Sequence, residues 1–166
     1  VASDGEDAKD FDDAVCATPR GKNGWTLWVA IADVAHYVTD NSPLDQTAIE
    51  RGTSVYFPSE VIPMLPETLS NGLCSLNPHV DRLALAVCLE IASTGRVTSY
   101  RFHEVVFQSQ QRLTYKQVQD TLDSVEADHQ SPAALKDAIV ESGRFNTTAV
   151  AENVADLFSL YRVLRA

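Results

Sequence analysis

The run WTLWVAIADV at 25–34 restricts the possible folds of this chain more than any other segment. It is too short to span a bilayer, which takes about 20 apolar residues. It is rich in aromatic and β-branched residues, the types that fit a pleated strand. It lacks the apolar/polar alternation of a strand with one wet face, so it predicts a strand covered on both faces. Such a strand needs partners. The segment AVCA at 14–17 supplies one, and Pro19, Gly21, Asn23 and Gly24 mark the turn of a hairpin. Asp33, inside the apolar run, reads as a capped or hydrogen-bonded buried acid.

Residues 83–92 and 97–107, joined by Ser93-Thr94-Gly95-Arg96, predict a second hairpin. Asn41-Ser42-Pro43 feeds a helix at 44–51 that Gly52 closes. Residues 53–57 read as a short aromatic strand, and Pro58, Pro63 and Pro66 keep the next stretch irregular. The last third is helical, at 114–125, 132–141 and 147–165, with Ser131-Pro132 and Asn146-Thr147 as helix starts. In the last helix Val150, Val154, Leu157, Tyr161 and Leu164 share a face. The fold class predicted is α+β: a mixed, largely antiparallel sheet with helices packed around it and a helical C-terminal third. The 166 residues suffice for one domain with a real core. The chain opens on Val1, and its last helix ends with an uncovered apolar stripe, so both ends read as cuts in a longer protein.

A net charge of −10 counts against a nucleic-acid partner, because phosphate binding calls for a basic face. Two readings survive: either the chain does not touch nucleic acid, or its acids hold cations that do. Cys16, Cys74 and Cys88 are widely spaced and form no C-x-x-C pair, which argues against zinc. They read as free, buried thiols in a reducing cytoplasm. No segment looks like a membrane span or a signal peptide, and an upstream leader is left open.

Six acids fall within residues 4–13, opposed only by Lys9. Two carboxylates about 4 Å apart repel by about 4 kcal/mol at an effective dielectric near 20. Solvation, protonation or a bound cation can relieve this, and for an acid run at large the solvated loop is the commoner outcome. Here 1–13 reads as a polar loop with small residues at Gly5 and Ala8 and an apolar anchor at Phe11. It leads straight into the first hairpin, so Asp12 and Asp13 fall near the core. All-oxygen donors suit magnesium, calcium or manganese. A calcium EF-hand fails on spacing, since its glycine and glutamate positions fall on Lys9 and Val15 when counted from Asp4. A magnesium site completed by substrate phosphate fits better.

The pattern D-x5-D-x-D-D-A, present as Asp4, Asp10, Asp12, Asp13 and Ala14, closely resembles the signature of the ribonuclease II/ribonuclease R catalytic (RNB) domain. WVAIADVAHYV at 28–38, RGTSVYFPSEVIPMLPETLSNGLCSLNP at 51–78 and RLTYKQV at 112–118 resemble its ribonuclease R branch, in the same order and at similar spacing. The resemblance is strong over 4–118 and weak over the remaining helices. The chain departs from the family in having Ala2-Ser3 where Thr-Ile is usual. The family domain is also much longer, so 1–166 would be its N-terminal half, without the basic residues that grip the RNA 3′ end.

The resemblance implies a magnesium-dependent 3′→5′ exoribonuclease. It would act on the 3′ end of single-stranded RNA and release nucleoside 5′-monophosphates, with two magnesium ions, or manganese as the alternative. Two ions about 3.5–4 Å apart would activate water and stabilise the departing oxygen. Asp4 and Asp13 are assigned to the first ion and Asp10 and Asp12 to the second, with Asp12 most important for the chemistry. Cations held there would reconcile the negative charge with a phosphate substrate. Tyr56 and Tyr115 match aromatic positions that stack on bases. From the residues alone, Tyr56 would pack in the core and Tyr115 would rest on a neighbour at a helix start. The resemblance favours stacking for Tyr56 and leaves Tyr115 evenly balanced. Arg51, Arg82 and Arg112 could meet phosphate, with surface or ion-pair roles as the default. His36, His79, His103 and His129 are scattered and suggest neither a triad nor zinc. Trp25 and Trp28 read as core. The full-length protein is expected to be a cytoplasmic monomer, and this piece inactive alone. The alternatives are a non-catalytic RNA-binding protein that has kept the fold, which the complete aspartate set argues against, and a generic divalent-ion module.

Overall fold

A computed structural model describes residues 1–4, 10–58, 60–127 and 130–166, and the side chains of all of these except Ser3 and Asp4. Eight strands and five α-helices follow in chain order among the described residues: β1 Ala2–Asp4, β2 Asp13–Pro19, β3 Trp25–Ala32, α1 Val34–Tyr37, α2 Pro43–Arg51, β4 Val55–Tyr56, β5 Val61–Ile62, β6 Asp81–Ile91, β7 Val97–Gln108, β8 Arg112–Thr114, α3 Tyr115–Ser124, α4 Pro132–Glu141 and α5 Thr148–Arg165. Six strands form one sheet in the order β7-β6-β3-β2-β1-β8, and β4 pairs with β5 apart from it. Every pairing in the large sheet is antiparallel except β1 with β8. The α+β class is the one observed.

The apolar run becomes the central strand β3, as predicted, flanked by β2 and β6. At its start Gly24 adopts φ 105°, and a Cβ there would lie 2.0 Å from the Ile91 carbonyl oxygen. Only glycine lets the turn approach β6 so closely. The expectation of cover on both faces fails at the far end of β3, where Ile31 is 48% exposed. Helix α5 covers only the near end, packing Leu160 and Leu157 on Ala17, Ile91, Trp25 and Leu27. Both tryptophans are half-buried.

The helices begin where side-chain caps allow. Ser42, Thr114, Ser131 and Thr147 each accept a hydrogen bond from a first-turn amide, satisfying a donor that the helix leaves unpaired. Helices α3, α4 and α5 close over Leu122, Leu135, Ile139 and Val154, with Leu113 of β8 in the same core. On α5, Val150 and Val154 are buried, but Tyr161 and Leu164 are exposed, so the predicted apolar face is only partly covered.

Four expectations need correction. Residues 2–4 are a strand and not loop, because β8 on one side and β2 on the other supply its pairing. The predicted strand at 53–57 shrinks to Val55–Tyr56, and its partner β5 lies within the stretch expected to be irregular. A π-helical turn, Thr68–Leu73, follows. Cys16 is exposed, Cys74 is buried and Cys88 is half-buried, and all three thiols are free. Among the described residues no helix is long and apolar enough to cross a membrane.

Candidate active site

The acid segment lies between β1 and β2, at the end of β2 remote from α5. Its middle, residues 5–9 with Glu6, Asp7 and Lys9, is outside the described residues, as is His129. Asp4 closes β1, paired in register with Thr114 at the end of β8. Asp13 opens β2, opposite Ile31. Ala2, at the departure from the family pattern, is fully buried between Ala14 and Arg112, where a small side chain suits the close strand pairing.

Phe11 organises the turn. Its ring is 1% exposed and packs with Ala2, Ala14, Ala32, Cys74 and Leu76. Its amide donates to Ser75 Oγ at 3.0 Å, and its carbonyl accepts from the Leu76 amide at 2.7 Å. One residue on, the Asp12 carbonyl accepts from the Ala32 amide at 2.8 Å. With Phe11 driven into the core, its neighbours are turned the other way: Asp10 is half-buried and Asp12 exposed. The guanidinium of Arg112 lies over the Phe11 ring, 4.0 Å from its centroid.

Asp33 serves as the cap of α1, accepting from the His36 amide at 3.2 Å; it is half-buried, not fully buried. Burial pushes the Cys74 thiol above its ordinary value, and the charges of Asp12 and Asp33 push it the same way, against the opposing pull of Arg82. The carboxylates of Asp12 and of Asp33 therefore act on the same buried thiol. Arg82 approaches the segment beside it, donating from Nε to the Ser75 carbonyl at 2.9 Å. Arg51 instead donates to the Pro63 carbonyl, steadying the β4–β5 hairpin.

Among the described residues no three His, Cys, Asp or Glu side chains converge as a metal cage. Asp10, Asp12 and Asp13 do not make one by themselves. Side chains alternate along an extended segment, so Asp10 and Asp12 share the side away from Phe11 and Asp13 falls on the other. The Asp4 side chain, the remaining member of the set, lies outside the described residues.

Tyr56 is 69% exposed on β4, so the core-packing alternative does not hold. Tyr115 is 62% exposed and opens α3, directly after the Thr114 that pairs with Asp4. Strand β8 thus brings Tyr115 next in chain to the first aspartate's partner, a proximity with no local signal in the sequence. Ser75 and Arg112, which support the turn from distant segments, carry no local signal of that role in the sequence either.

Across its whole length, residues 1–166, the chain matches the RNB domain. It belongs to the RNB domain family. Over 118 residues, 71% of its length, this RNB chain is 61% identical to ribonuclease R of Escherichia coli, of which it covers 14%. The solved structure of Mycoplasma genitalium RNase R in complex with double-stranded RNA superposes with a TM-score of 0.83 at 32% identity, over 99% of this chain and 26% of that one. Yeast Ssd1, described as a pseudonuclease, superposes on 84% of this chain and 18% of its own with a TM-score of 0.68 at 19% identity, a likeness of fold alone. The RNB chain described here spans only a fraction of the length of these relatives.

Proposed function

We propose that residues 1–166 form the N-terminal half of the catalytic domain of a magnesium-dependent 3′→5′ exoribonuclease, which hydrolyses single-stranded RNA to nucleoside 5′-monophosphates. The carrying observation is the anchoring of the aspartate turn: a buried Phe11 holds Asp10 and Asp12 outward beside the strand that ends in Asp4. A merely solvated acid loop has no need of a residue buried to 1% exposure whose amide donates to a distant serine hydroxyl and whose carbonyl accepts from a distant amide.

The donor set suits magnesium. It is all oxygen, and magnesium commonly takes one or two carboxylates and fills its remaining positions with water and substrate phosphate. A spread of aspartates is compatible with that habit, whereas a closed cage is not required. Asp4, Asp10, Asp12 and Asp13 would hold the metal, two ions in the reading favoured here, with manganese as the substitute. Bound there, divalent ions supply a nucleophile at neutral pH and charge stabilisation at the leaving oxygen. The chain's own part is to fix the carboxylates and keep the turn from collapsing onto the sheet. Exposed Tyr56 and Tyr115 present rings on which unpaired bases can stack without regard to sequence. The full-length protein is proposed to be a cytoplasmic monomer.

Full-length protein carrying Asp12→Asn should bind single-stranded RNA as the parent does and lose kcat by about 100- to 1,000-fold. Normal release of mononucleotides by that variant with magnesium would remove Asp12 from the chemistry. The competing reading is an RNA-binding protein without catalysis. Against it stands the complete aspartate set, since a site without catalysis has no use for such crowded charge. No magnesium-dependent product from the unmodified full-length protein would favour that competitor.

A further inference from the structure

We infer that Arg112 is a positioning residue for the aspartate turn, acting through the Phe11 ring. This rests on the proposed role of the turn as a metal-holding element. Phe11 is gripped from two sides by segments far away in the chain. Ser75 and Leu76 hold its backbone, at 3.0 Å and 2.7 Å. The Arg112 guanidinium covers its ring at 4.0 Å. Arg112 is itself fixed by strand β8, in register with Ala2, and the preceding carbonyl of Gln111 accepts from the Ala2 amide at 3.2 Å. The same three-residue strand therefore aligns β1, which ends in Asp4, and clamps the residue lying between Asp10 and Asp12. The two arms of the acid segment are tied together at one residue, by its strand pairing on one side and its side chain on the other. A planar guanidinium can stack flat on an aromatic face while its edge stays in water, and an ammonium cannot do the same.

The alternative role for an exposed arginine beside such a site is a direct phosphate contact, and the two differ in what they predict. Lysine keeps the charge and loses the stack. A positioning role therefore predicts that Arg112→Lys is almost as impaired as Arg112→Ala. Misplacing a reacting group by about 1 Å costs on the order of 100-fold, so kcat should fall about 10- to 100-fold while KM stays within about 3-fold. A phosphate contact predicts near-normal kcat for the lysine variant. For the alanine variant it predicts weaker RNA binding, with a salt dependence shallower by about one ion.

The test uses full-length protein in four forms: unmodified, Arg112→Lys, Arg112→Ala and Phe11→Leu. Steady-state hydrolysis of a single-stranded oligoribonucleotide gives kcat and KM. Fluorescence anisotropy in a chelator gives RNA affinity without turnover. Backbone amide exchange over residues 10–13, without metal or RNA, gives the order of the turn. We expect the lysine variant to unfold at close to the parental temperature, the leucine variant to melt lower through lost core volume, and both to bind RNA within about 2-fold. We expect their turn amides to exchange at least about 10-fold faster. Combining Arg112→Lys with Phe11→Leu should cost little more than either alone, because both remove one stack. Unchanged exchange in Arg112→Lys, or a loss confined to RNA affinity, would overturn the inference. If the alanine variant does not fold, the lysine and leucine variants still decide. The exchange measurement separates this inference from the function above: a full-length protein with no nuclease activity refutes that function, while amide exchange still reads whether Arg112 orders the turn.

Discussion

The aspartates at 4, 10, 12 and 13 stand out in the sequence because nothing else in the chain concentrates charge so steeply. What holds them does not stand out. Ser75 is wholly buried, and its hydroxyl accepts from the Phe11 amide across 64 residues of chain. A serine in SLNP carries no local mark of such a contact, since a buried hydroxyl acquires meaning only from its partner. Removing it with Ser75→Ala would leave a buried amide unsatisfied, at a cost of about 1–3 kcal/mol. Urea unfolding of the full-length protein should show that loss, and kcat should fall together with stability, because the same bond fixes the turn. An alanine variant as stable as its parent would mean that water or another acceptor replaces the hydroxyl. Tyr56 reads as core from its neighbours for a similar reason. VYFP suits a core strand as well as an exposed one, and only the placement of β4 outside the main sheet leaves the ring open.

Elements were legible in proportion to their local reinforcement. Helix α4 runs over Pro132–Glu141 just as its Ser131-Pro132 start predicts, because cap and proline act within one turn. Strands β1 and β8 have three residues each, too few for an alternating pattern, and pair through contacts the sequence cannot display. Between α4 and α5 lies a pair with a pH signature. Lys136 Nζ sits 3.1 Å from the Asp156 carboxylate. Burial raises the Asp156 carboxyl above its ordinary value, Lys136 pulls it back, and the Glu152 charge adds to the rise. Below the ordinary carboxylate range Asp156 is neutral in both folded and unfolded chains, so burying it carries no charge penalty. As pH rises through that range the unfolded chain ionises first, and the penalty grows. Lys136 limits it. Lys136→Ala should therefore be nearly harmless at about pH 4 and cost about 1 kcal/mol at about pH 7. Denaturant midpoints at the two pH values check this, and an equal loss at both would show that the ion pair is not the cause.

At the scale of the whole molecule, two properties of 1–166 describe a surface with unmet needs. One is the sheet face beyond the reach of α5. Ile31 pairs with Leu85, Leu83 with Val106 and Val87 with Phe102, so these residues fall on one face by alternation. Phe102 is 65% exposed there. The apolar run at 25–34 revealed a buried strand but not which part of the chain would bury it, and so the expectation of two-sided cover outran the structure. The other property is charge. At −10, the chain offers RNA no long-range attraction, and carboxylates repel phosphate unless cations intervene. If the functional proposal holds, affinity for the nucleic-acid backbone resides in polypeptide beyond these residues, while this part contributes carboxylates and stacking rings. Residues 1–166 alone should then bind a single-stranded oligoribonucleotide at least about 100-fold more weakly than the full-length protein at moderate salt, and release no mononucleotides with magnesium. The isolated chain should also bind an apolar dye that the full-length protein does not, reporting the open face of β6 and β7. Matching anisotropy titrations on the two proteins test the division of labour. Equal affinity would mean that Tyr56, Tyr115 and the local arginines suffice to hold RNA, and that net charge is a poor guide to where this protein meets its substrate.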